Sequence, residues 1–221
     1  MKNLIPLIVR FIIYAISMLG VALIIRHDFK DALILEDSAI EIAQETSLAI
    51  SILLLGYYGK TSKAFKIFNL SLAGVLAVHF VREFDFWLNY NLFDKSWQVF
   101  AGVFVLLTLY LMFKNFKQFV AELVELSKTY SFAIFLIGFI MLHVFSRLFG
   151  SKKIWNWLLE PMHNSYISTV NGEKSISLID FVYPVKTGAQ EGIELLAYTI
   201  MFIGVVEICL YTVKISKRHQ N

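Results

Sequence analysis

Four short patterns in this chain set ionisable side chains at helical spacing: Glu41-x-x-x-Glu45, His79-x-x-x-Glu83, His143-x-x-x-Arg147 and Glu191-x-x-Glu194. Residues three or four apart share a helix face, so each pattern presents two such groups in one direction. Imidazole and carboxylate drawn from separate helices are the ligands with which helical proteins build one- and two-metal centres, which activate water or carry redox chemistry. The spacing therefore predicts metal ligands at Glu45, His79, His143 and Glu194, with zinc or iron as the cofactor. Glu41 or Glu83 would serve as general base, and Arg82 or Arg147 would hold an anionic headgroup, so the substrate class is a lipid or lipid-linked molecule. Two other readings use the same groups. A proton or cation relay would need further polar steps deeper in the helices, where the sequence offers chiefly Ser47, Ser51, Asn69, Ser71, Thr199 and Glu207. A non-enzymatic reading makes the acids and arginines an ion-pair network that locks helix packing.

These residues need helices to position them, and the composition says which kind. Hydrophobic residues make up 57% of the 221, charged residues only 17%, and Phe alone occurs 20 times. With a mean hydropathy of +0.65, the chain is too apolar for an ordinary soluble domain. A bilayer core about 30 Å thick is crossed by roughly 20 helical residues. Six such runs are present, at about 4–25, 38–58, 65–84, 97–114, 129–149 and 189–212. An open strand cannot satisfy its backbone in lipid, so the expected fold is all-α: one polytopic transmembrane domain over 1–221 in the cell membrane, the inner membrane if the source is bacterial.

Pro6 falls in the first turn of the first helix, and Pro161 and Pro184 are expected in the loop between the last two. The opening MKNLIPLIVRF resembles a secretory leader, but its apolar run continues to Ile25 without an A-x-A site, which predicts a span. Cys209 is the single cysteine, so no intrachain disulfide forms and it reads as a small buried apolar side chain. Gly59-Lys60-Thr61 lacks the upstream glycine of a phosphate loop.

Threading six spans puts Lys2, Lys60, Lys63, Lys117, Lys128, Lys214, Lys217 and Arg218 on one side, and the opposite short loops hold only Arg26, Lys30 and Lys95. By the positive-inside rule both termini are cytoplasmic. The net charge of +3 is a topology signal, and the expected partner is the lipid bilayer, not nucleic acid. Of the 17 acids, only Glu122, Glu125 and Glu207 fall on or near the inner side.

Depth follows from the rise per residue. Glu45 lies about 9 Å beneath the outer boundary, Glu41 about 3 Å, His79 about 7 Å, His143 about 10 Å, Arg147 about 4 Å and Glu194 about 6 Å. Groups this costly in a membrane turn inward and find partners, so they are expected to converge in one shallow outer slab. Arg10 and Glu207, each about 9 Å above the inner boundary, are expected to pair, joining the first and last helices without catalytic meaning. The 151–187 segment would cap the slab: KKIWNWLLE as an interfacial helix, Asn171-Gly172 as the turn of a small hairpin, and His163 as an exposed loop histidine.

Overall fold

A computed structural model describes residues 4–29, 38–169 and 178–218. Every regular element among them is helical: α1 (Leu4–Asp28), α2 (Ala39–Thr61), α3 (Lys66–Glu83), α4 (Asp85–Asn91), α5 (Ser96–Lys114), α6 (Phe116–Leu126), α7 (Tyr130–Ile140), a π-helical turn (Met141–Phe145), α8 (Ser146–Phe149), α9 (Lys152–Thr169) and α10 (Leu178–Arg218). Five helices are long and apolar enough to cross a membrane, six if α3 and α4 count as one bent span. The described residues are thus all-α, with helices long and apolar enough to span a membrane. The large apolar side chains of α1 are almost all exposed, Val21 being its one buried residue. An apolar surface of that extent requires lipid as its solvent.

The region of 151–187 differs from expectation. Residues 166–169 and 178–183, the expected hairpin strands, belong to α9 and α10, while the Asn171-Gly172 turn lies outside the described residues. A lone two-stranded hairpin buries too little to hold itself together, whereas a helix satisfies its backbone internally. The last helix accordingly begins at Leu178, ahead of the expected 189, and Pro161 and Pro184 are both inside helices. Such prolines are tolerated where neighbouring groups satisfy the freed carbonyls. His163 is buried on α9 rather than exposed in a loop.

The chain forms two compact units, Met1–Ile42 with Phe139–Ala197 and Ala43–Gly138 with Tyr198–Asn221. In the first, the Phe29 ring lies directly over Gly188, and Ile25 Cδ1 is 3.1 Å from where a methyl on Gly192 would sit. Small residues four apart allow this close approach, as they do between membrane helices generally. The Asp28 carboxylate accepts the Ile40 N–H at 2.8 Å and so caps the start of α2.

In the second unit α3 packs along α5. At the start of α3, Phe65 takes a left-handed conformation with no side-chain cap of its own. Glu122 of α6 supplies the missing acceptor: it takes the Phe68 N–H at 2.7 Å and the Gln118 Nε2–H at 2.8 Å. A carboxylate there meets both the orphan donors and the positive end of the helix. Glu122→Ala is expected to destabilise the protein by about 1–2 kcal/mol, measured by thermal unfolding in detergent, and Glu122→Gln to recover part of that loss.

Candidate functional site

The stretch HFVREFDFWLN is where α3 ends. The chain leaves the helical region at Phe84 (φ −86°, ψ 15°) and turns by 62° into α4. Neither Pro nor Gly causes the turn. The 18 residues of α3 reach about 27 Å, and the break comes where Arg82, Glu83 and Asp85 replace apolar side chains. Phe84 N–H still bonds Phe80 O at 3.2 Å, and the two rings touch with centroids 4.9 Å apart.

On the inward face of α3, His79 and Glu83 stand one turn apart and both meet Tyr198 of α10. The Tyr198 hydroxyl donates to Glu83 Oε1 at 2.5 Å, and its ring stands edge-on to His79 with centroids 6.4 Å apart. Tyr198 is 1% exposed and His79 9%. The Glu83 side chain is 10% exposed, and the Arg82 guanidinium, 28% exposed, lies 3.8 Å from the same carboxylate oxygen. A nearly enclosed carboxylate thus has one strong neutral donor and a cation at its rim. A carboxylate so placed has the chemistry of a general acid or base, beside a guanidinium that is partly exposed. Glu45 belongs to this unit and is half-buried on α2, beside the fully buried Gln44.

The first unit has its own buried carboxylate. Glu194, 2% exposed, accepts hydrogen bonds from the Ser146 hydroxyl and from Gln190 Nε2 at 3.3 Å. Sequence reasoning chose His143 and Arg147 from this part of the chain, yet both are exposed and Ser146 between them is buried. The reason is local geometry. Buried Phe135, Gly138, Leu142 and Ser146 follow one another every three or four residues along one face, and His143 and Arg147 each stand one residue past a buried position, about 100° round the helix; Met141–Phe145 form a π turn within this stretch. His143 packs on Phe139, ring centroids 4.2 Å apart. Glu41 and Glu191 are half-buried in the same unit.

Among the described residues, no group of three or more His, Cys, Asp or Glu side chains is arranged to hold a metal ion. Of the four expected ligands, Glu45 and His79 fall in one unit and His143 and Glu194 in the other. The zinc or iron reading therefore lacks structural support. Glu207 is buried and accepts the Tyr130 hydroxyl at 2.7 Å; Arg10 is half-buried on α1. Cys209 is buried.

Sequence reasoning missed Tyr198, Ser146, Gln190 and Tyr130, the neutral donors on which these acids depend. One signal was present: Gln190, Glu194 and Tyr198 recur every four residues on α10, so they share one face of that helix. No known protein family, curated protein or solved structure matches this chain.

Proposed function

We propose that this is a multi-pass protein of the cell membrane, embedded in the lipid bilayer with both termini in the cytoplasm. Its acid–base centre, Glu83 with Tyr198 and His79, acts on a lipid or lipid-linked substrate whose anionic headgroup is held by Arg82. The observation that carries this is the 2.5 Å bond from Tyr198 to an almost enclosed carboxylate with a guanidinium, 28% exposed, beside it. Tyr198 fixes the orientation of the carboxylate. Glu83 would then take the proton of a water or lipid hydroxyl as its oxygen attacks the headgroup phosphorus, the displaced alcohol would leave carrying that proton from Glu83, and Arg82 would steady the phosphate charge.

The test is chemical. Protein in vesicles containing phosphatidylglycerol and phosphatidylethanolamine should change the lipid composition, followed by mass spectrometry. Glu83→Gln is expected to slow that conversion at least about 100-fold while lowering the melting temperature less than Tyr198→Phe does. No conversion by the wild-type protein would sink the enzymatic reading.

A second reading, in which the polar centres only tie helices together, is favoured by the way Glu122, Glu194 and Glu207 are each met by neutral hydroxyl or amide donors. It predicts that Glu83→Gln has no phenotype beyond stability.

A further inference from the structure

We propose that the opposite, basic end of the second unit binds a phosphomonoester group, carried either by a lipid headgroup or by a soluble phosphate. Where α2 and α10 both end, a cavity of about 580 Å³ opens, lined by Tyr58, Thr61, Ser62, Lys63, Ser216 and Lys217 among others. That volume suits a headgroup or small ligand. Its walls are tied together. The Ser62 and Ser216 hydroxyls are hydrogen-bonded to each other, Ser62 Oγ also accepts the Ala64 N–H at 3.1 Å, and the buried Phe65 ring lies against Tyr211. The site is therefore shaped before any ligand arrives.

Charge identifies the ligand. Residues 58–66 and 210–218 contain Lys60, Lys63, Lys66, Lys214, Lys217 and Arg218 and no Asp or Glu. No carboxylate lines the cavity, and buried Glu122 is engaged at the first turn of α3. Neither Lys63 nor Lys217 has an ion-pair partner among the described residues. Two ammonium groups thus border one hydroxyl-lined cavity with no carboxylate among its lining to balance them. A phosphomonoester carries close to two negative charges near neutral pH, which matches both lysines, whereas a carboxylate or a phosphodiester neutralises only one. A cluster of lysines at a membrane boundary also draws anionic lipid to that depth.

The experiment uses the full-length protein in nanodiscs of phosphatidylcholine, with dioctanoyl phosphatidic acid and inorganic phosphate added separately and binding followed by calorimetry. Binding of phosphatidic acid alone supports the lipid source; binding of inorganic phosphate, competing with phosphatidic acid, supports the soluble one. In either case the K63Q/K217Q double variant should bind roughly tenfold or more weakly. Both lysines are exposed, so its melting temperature should match the wild type. Wild-type binding should also strengthen as pH rises through the second phosphate ionisation near about 6, a readout that needs no variant. The proposal is overturned if neither probe binds, if the double variant binds as well as the wild type, or if binding is flat across that pH range.

Discussion

Leucine at Gly204 should prevent the second unit from folding stably, whereas leucine at Gly56 should leave it intact. A methyl group on Gly204 would sit 2.6 Å from both N and Cα of Phe135, so the obstacle is backbone and cannot rotate away. Overpacking by a methyl in a fitted interior costs about 1–3 kcal/mol, and leucine adds three further carbons at the same point. Against a total stability of about 5–15 kcal/mol, the loss should appear as a large fall in melting temperature and aggregation on size exclusion. Gly56 lies in the same unit, and a methyl there meets nothing within 4 Å. Leucine at that position also improves helix propensity by up to about 1 kcal/mol. Equal stability of the two variants would show that α7 and α10 do not approach closely at Gly204.

Tyr198→Phe should cost about 2–3 kcal/mol, because it keeps the ring against His79 but leaves the Glu83 carboxylate without its hydroxyl donor. Glu83→Gln should cost less, since a glutamine oxygen still accepts that hydroxyl. In the double variant the tyrosine change should cost less than it does alone, the mark of a direct contact. Denaturant unfolding in mixed micelles provides the measurement. A Tyr198→Phe loss below about 0.5 kcal/mol would mean the bond contributes nothing to the fold. A stability cost combined with unaltered lipid chemistry would favour the structural reading over the enzymatic one.

The recurrence of both effects on α10 shows where sequence reasoning succeeds. Gln190, Glu194 and Tyr198 lie within a long apolar helix, and polar groups at that spacing had to turn toward protein. The partners they found were set by other helices: Tyr198 and Glu83 are 115 residues apart, Ser146 and Glu194 are 48 apart. No local pattern links such pairs. Among the glycines the same limit applies, since Gly56 and Gly204 both occupy apolar runs and only one of them is a point of backbone contact.

By itself the sequence pointed to a helical chain with six runs long and apolar enough to cross a membrane, and to the acids and histidines near their ends; the structure has five such helices, or six with the bent α3–α4 pair. The sequence could do so because a bilayer demands internally bonded backbone of a set length and makes misplaced charge costly. The tertiary structure alone decided which side chain meets which. Successive residues turn by about 100° around a helix, so His143 and Arg147, each one residue past a buried position, Leu142 and Ser146, face outward. It is the Ser146 hydroxyl, on the buried face, that donates to Glu194.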